Sequence, residues 1–286
     1  MSLEEYFLSV WEDYASIDRE TYRIKKHSIP IIYHGDYNKF QESILKIITA
    51  ELNPNNNEFP EYNPSLRYRE LNDYTQKKRL EKYDAAQLLD SLNSYYTRNS
   101  NKWYDHYEPI LNGLNASYYG TMENTVLHTN ILTPLSLTKN WSDYAKDSPD
   151  NLNYLIKHGH SQWLKLIDIL QPDIIITSIG DKYRDNILNG QKINWIRIEN
   201  ITTNTNGKKR RKPYQVQCAV VCLDSGKKTL LVIGDKSALP FMISQKQKLQ
   251  IGAKLFRLMS NIYHERKPKQ FQALQETPVA ETRTNF

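Results

Sequence analysis

Apolar side chains recur along this chain with two different periods, and the way those periods alternate sets the fold class. Leu3, Tyr6, Phe7, Val10, Trp11 and Tyr14 are three or four residues apart, which predicts an amphipathic helix over residues 3–17. A polar, tyrosine-rich connection follows and ends near Asp36. The stretch 44–52, ILKIITAEL, is short and rich in Ile and Thr, so it predicts a buried strand; Asn53-Pro54 and the asparagines behind it are turn chemistry that stops it. Helices are predicted over 77–99 and 103–116, then a second buried strand over 125–132 that stops at Thr133-Pro134. Residues 152–170 place Leu155, Ile156, Trp163, Leu166, Ile167 and Leu170 on one side of a long helix. A third apolar strand spans 173–179 and is closed by Gly180. Residues 193–198 and 215–222 predict a hairpin around the loop 207–213, 229–233 a further strand, and 245–264 a last helix.

Buried strands alternating with helices predict an α/β protein with a parallel sheet covered on both faces. Ligands of such sheets collect beyond the carboxyl ends of the strands. The polar clusters 53–58, His128-Thr129-Asn130 and Asp235-Lys236-Ser237 all fall at or near those ends, and their convergence points to an active site. Residues 1–40 read as a helical extension packed on the core, 41–266 as the main domain and 267–286, poor in apolar residues, as a disordered tail. No internal repeat is present.

Composition narrows the class. The 286 residues suffice for a substantial core, and no apolar run approaches the roughly 20 residues that span a bilayer. The acidic start lacks the marks of a signal peptide, so a cytoplasmic monomer without a membrane partner is expected. Cys218 and Cys222 are too few for a four-cysteine metal site and read as small core residues on one strand face. His158-Gly159-His160 has no acidic or thiol partner at useful spacing, so neither metal nor other cofactor is expected. A net charge of +6 favours a polyanion, and 20 tyrosines suit surfaces that stack bases or grip sugars.

With these elements in place, the chain resembles the uracil-DNA glycosylase superfamily over roughly residues 40–265. Glu51-Leu52-Asn53-Pro54-Asn55 stands where that family carries its first motif, and the resemblance implies that Asn53 orients the attacking water. Phe59 is placed like the phenylalanine that stacks on the flipped base. Asn63-Pro64-Ser65-Leu66-Arg67 resembles the loop pressed on the DNA backbone. Leu127-His128-Thr129-Asn130 is similar to the strand whose asparagine reads the base edge, a role implied for Asn130. Asp235-Lys236-Ser237-Ala238-Leu239-Pro240 resembles the last motif, with Leu239 as the wedge that fills the gap in the duplex. The family glycine is Glu51 here, its histidine is Asp235, and the Tyr or Gly after the motif proline is Asn55. The resemblance implies a three-layer α/β/α fold around a central, mainly parallel four-stranded sheet, here with an inserted β-hairpin. The implied activity is monofunctional DNA glycosylase chemistry: base flipping, then hydrolysis of the N-glycosidic bond to an abasic site.

Residue chemistry gives each role a competitor. Asn53 can orient water but is no strong base; the competing reading is a plain Asn-Pro turn. Asp235 can stabilise a cationic sugar or take the water's proton, or simply cap a turn. Lys236 or His128 can donate toward the leaving base. Leu239 is either a wedge or a buried leucine ahead of the last helix, Phe59 either a stacking ring or core, and Asn130 either a base reader or a partner of nearby backbone. Ser65, Arg67 and Ser237 suit phosphates, as do Lys208, Lys209, Arg210 and Arg211 of the 208–212 basic run, which otherwise form a solvated loop. The resemblance further implies that Asn55, in place of the family's blocking tyrosine, leaves room beside the pyrimidine C5, and so a hypermodified cytosine such as glucosylated hydroxymethylcytosine of phage DNA and a part in antiviral defence. Excision of uracil or a deaminated base in repair, and a non-catalytic DNA-binding relative, are the alternatives.

Overall fold

The computed structural model describes residues 1–63, 65–68, 74, 77–98, 102–179, 187, 193–234 and 239–264, the last four without side chains. Helix α1 (Leu3–Ala15) begins at a capping box in which Ser2 and Glu5 satisfy each other's backbone N–H, and it buries Tyr6, Phe7, Val10, Trp11 and Tyr14. The connection behind it is not a polar surface strap. Ile29, Ile31, Ile32 and Tyr33 are buried, and His34 exchanges backbone hydrogen bonds with His128 at 2.9 Å each way.

A short α2 (Tyr37–Glu42), capped by Asp36, leads to β1 (Ile47–Glu51), which ends where the Asn-Pro turn predicts. The predicted helix over 77–99 is α3 (Lys82–Asn93) followed by α4 (Tyr95–Arg98). The one over 103–116 is two short pieces, α5 (Lys102–Asp105) and α6 (Glu108–Asn112), before β2 (Ala116–Ser117) and β3 (Asn124–Asn130). Then come α7 (Trp141–Asp147), α8 (Pro149–Leu170), β4 (Ile174–Thr177), β5 (Ile196–Thr203), β6 (Lys209–Cys222), β7 (Lys228–Gly234) and α9 (Gln245–His264).

The sheet has seven strands in the order β2-β3-β1-β4-β7-β6-β5, which corrects the expected four. The run from β2 to β7 is parallel, and β6 and β5 continue the same sheet antiparallel. The hairpin is therefore part of the sheet, because β6 pairs with β7 over Val216–Cys222. Every residue of β3 and β4 is buried, as parallel strands covered on both faces must be. On the Thr129 face, α8 seals the sheet, with Trp163 Nε1 donating to Thr129 Oγ1 at 3.0 Å.

The His128 face carries a layer of tyrosines. Tyr68, Tyr95, Tyr96, Tyr104, Tyr107 and Tyr118 are buried there, so this share of the tyrosine surplus lines the core and stacks on no ligand. Burying a phenol is cheap only if its hydroxyl is bonded. His34 joins Tyr104 (3.0 Å) and Tyr68 (2.5 Å), Thr49 joins Tyr118 (2.5 Å) and His128 (2.8 Å), and Tyr95 donates to Glu58 (2.9 Å). Cys218 is buried as expected, but Cys222 is exposed, because burial along β6 switches faces at Ala219. Among the described residues no helix is long and apolar enough to cross a membrane.

Candidate active site

The strand order contains a switch point. From β1 the chain crosses to β2 and β3 on one side, then returns past β1 to β4 on the other. The loops leaving β1 and β4 must diverge there, opening a crevice at the carboxyl edge of the sheet. A pocket of about 580 Å3 occupies that place, lined by Glu51, Asn53 and Asn55 behind β1, Ser178 behind β4, and Trp103, Lys139, Trp141 and Phe241 around them. Three aromatic side chains with a few convergent polar groups suit a planar polar ring.

Glu51 is the titratable centre. As the last residue of β1 it is held in register with Asn130 of β3. Its half-buried carboxyl accepts hydrogen bonds at 2.6 Å from Trp103 Nε1 and at 2.6 Å from Tyr107 Oη. Burial pushes its pKa up to about 7, opposed by the two donors and assisted by the nearby Glu58. A carboxyl raised toward neutrality and lining an aromatic crevice has the chemistry to accept or release a proton. The sequence pattern presents Glu51 only as a departure from a glycine. The available signal was an acid closing an otherwise apolar strand.

Asn53 does line the pocket, with its amide Nδ2 donating to Pro54 O at 2.9 Å. Asn55 also lines it, exposed, while its Oδ1 caps the 3-10 turn Asn56–Glu58 through Asn57 N (2.9 Å). Trp103 packs against Phe241 at 4.5 Å between ring centres. Trp103, Trp141, Phe241 and Lys139 were not visible as site residues in the sequence, since none sits on a strand end.

Other expected residues are elsewhere. Asn130 is buried, its Nδ2 reaching Ile31 O at 3.3 Å, so it meets the returning 29–34 segment and not the pocket. His128 is enclosed in the tyrosine layer, bonded to Thr49, and burial drops its pKa to about 3; it stays neutral and out of reach of a leaving base. Phe59 is core, stacked on Tyr68 with ring centres 5.4 Å apart. Arg67 turns inward, donating to Tyr95 Oη at 2.8 Å and lying 3.7 Å from the fully buried Glu58, so it serves an interior ion pair and no phosphate. Ser65 is half-buried beside it. Leu239 is fully buried, which favours the core reading over the wedge. Asp235, Lys236 and Ser237, like Pro64, lie outside the described residues.

The basic run is strand as well as turn. Lys208 closes the turn, while Lys209, Arg210 and Arg211 open β6. Val216 pairs with Gly234, the end of β7, so the first seven residues of β6 overhang the carboxyl edge by on the order of 20 Å. Lys208, Lys209, Arg211 and Lys212 are exposed on this arm. Arg210 is half-buried and ties the arm down: its Nε donates to Thr203 O at 2.8 Å, and its guanidinium donates to Met242 O, beside the pocket residue Phe241. No protein-family model matches the sequence, and no curated protein is significantly similar to it.

Proposed function

We propose that this protein is a DNA glycosylase that draws a modified pyrimidine nucleotide into the Glu51 pocket and hydrolyses its N-glycosidic bond. The observation that carries the reading is a carboxyl with a pKa near 7 at the rim of an aromatic crevice, on the sheet edge from which a basic arm projects. The crevice suits a flipped base, which unstacks at a cost of a few kcal/mol that aromatic contact and phosphate attraction offset. Asn53 Oδ1 orients a water toward C1′. As the bond to the base nitrogen breaks, the bonding pair leaves with the base, the water oxygen attacks C1′, and Glu51 takes the water's proton. Glu51 thereby assumes the proton-accepting role for which Asp235 was a candidate. The amides of Asn55, Asn56 and Asn57 at one wall offer donors and acceptors to a hydroxyl-bearing substituent on the base.

The test is a panel of oligonucleotides carrying uracil, 5-hydroxymethylcytosine or glucosylated 5-hydroxymethylcytosine, treated with alkali to reveal abasic sites. Wild type should nick at a modified position. Glu51→Gln should lower the rate by about 10²–10⁴-fold and Asn53→Ala by about 10²-fold. No abasic product from any substrate, or full activity in Glu51→Gln, overturns the reading.

A further inference from the structure

A second cavity, of about 440 Å3, lies between the segment behind α1 and the chain at Phe59. Its floor is apolar, formed by the buried Ile24 and Phe59, and Arg19, Arg23, Lys25 and Lys26 stand around it. The four cations outnumber the carboxylates that share the lining, Glu20 and Glu61. Arg23 is committed to Asp147 at 3.0 Å. Among the described residues, Arg19, Lys25 and Lys26 have no carboxylate within ion-pair distance. Half-buried Arg19 is held in place by one nitrogen, Nη1, which donates to Lys25 O (3.1 Å) and Ser28 O (2.8 Å). A guanidinium has five N–H donors, so the bonds made through Nη1 leave others for an acceptor in the cavity. Lys25 reaches over the floor to Phe59 O at 3.3 Å.

This cavity neighbours the site already described along the chain. Thr138 lines it, and the next residue, Lys139, lines the Glu51 pocket. Asp147 pairs with Lys139 of the Glu51 pocket (2.5 Å) and with Arg23 of this cavity (3.0 Å), linking a residue of each lining. An apolar floor under a cationic rim matches a flat ring joined to a phosphate.

We propose that this second cavity binds a phosphorylated nucleoside unit, with its ring over Ile24 and Phe59 and its phosphate on Arg19, Lys25 and Lys26. The identification of the unit as the nucleotide flanking the one in the Glu51 pocket rests on the nucleic-acid reading above. The shared chemistry is a nucleoside phosphate, whether part of a strand or free.

Binding of thymidine monophosphate by calorimetry, and of a labelled twelve-residue oligothymidylate by anisotropy, tests this on the full chain. The variants are Lys26→Glu, at an exposed side chain, and Lys25→Gln/Lys26→Glu, with melting curves to confirm folding. Both probes should bind at least tenfold more weakly to the double variant. The oligonucleotide's salt slope should fall by about 0.7 for each phosphate that is no longer neutralised. If the monophosphate responds and the oligonucleotide does not bind wild type at all, the cavity serves a free nucleotide and the nucleic-acid reading of the Glu51 pocket falls alone. Unchanged affinity of both probes in both folded variants overturns the proposal, even if abasic sites form.

Discussion

Glu51 and Glu58 sit on either side of the Asn-Pro turn, and burial raises the pKa of each, yet their surroundings give them different work. Glu58 is sealed among Tyr68, Tyr95 and Arg67, so its part is structural. Arg67→Ala should strand that acid and cost about 3–5 kcal/mol by chemical denaturation, with little change in nucleic-acid salt dependence; a phosphate-binding arginine would behave the opposite way. Glu51 is open to the crevice and can exchange its proton. Its folded pKa of about 7 exceeds the ordinary 4.5, so the native state holds a proton that the unfolded chain has released between those values. The contribution of this group to stability is therefore full below pH 4.5 and declines until about pH 7, by on the order of 3 kcal/mol. Glu51→Gln removes that decline. Its melting temperature should exceed wild type by several degrees at pH 8 and match it near pH 4, while wild-type turnover rises with pH through about 7. Coincident melting curves at pH 8 would remove the argument for a strained acid.

Elements were legible in the sequence where one physical signal dominated. The apolar runs that became β1, β3, β4 and β7, and the long stripes of α8 and α9, stand out because fully buried strands and one-sided helices leave a plain pattern. Polar residues that are buried in partnership leave none. The tyrosine layer, His34 and the 29–34 segment look like surface chemistry until the sheet brings His128, Thr49 and Glu58 to their hydroxyls and rings. The place of Asn53 in the pocket lining was legible because a strand end fixes it. Asn130, equally at a strand end, resists the same reading because nothing local reveals that the 29–34 chain covers it. Helix crossings are similarly hidden. Gly252 of α9 lies so close to α6 that a Cβ would stand 2.0 Å from Ile110 O and 2.8 Å from Gly113 Cα. Gly252→Ala must push two backbones apart, and it should lower stability by about 1–3 kcal/mol despite alanine's higher helix propensity. A more stable variant would mean the two helices are not packed this way.

At the scale of the whole molecule, the net charge of +6 matters less than where it is displayed. Strand β6 is longer than its partner β7, and the excess length falls on the carboxyl edge, since β6 runs antiparallel to a strand whose end marks that edge. Four exposed cations, Lys208, Lys209, Arg211 and Lys212, are thereby carried past the pocket, while Arg210 anchors the arm through Thr203 and Met242 and is unavailable to a ligand. A polyanion bound along the arm would pass near Phe241 at the wall of the Glu51 crevice, and its attraction would show as counterion release. Changing Lys208, Lys209, Arg211 and Lys212 to Glu should weaken single-stranded DNA binding and reduce the slope of log affinity against log salt by about 0.7 for every phosphate the arm had neutralised. Because these side chains are exposed, the melting temperature should hardly move. Replacing Arg210 alone should do the reverse, loosening the arm and lowering stability while leaving most of the salt slope intact. An unchanged slope in the fourfold variant would place the nucleic acid away from this edge, and the pocket would then have to be supplied with its substrate by another route.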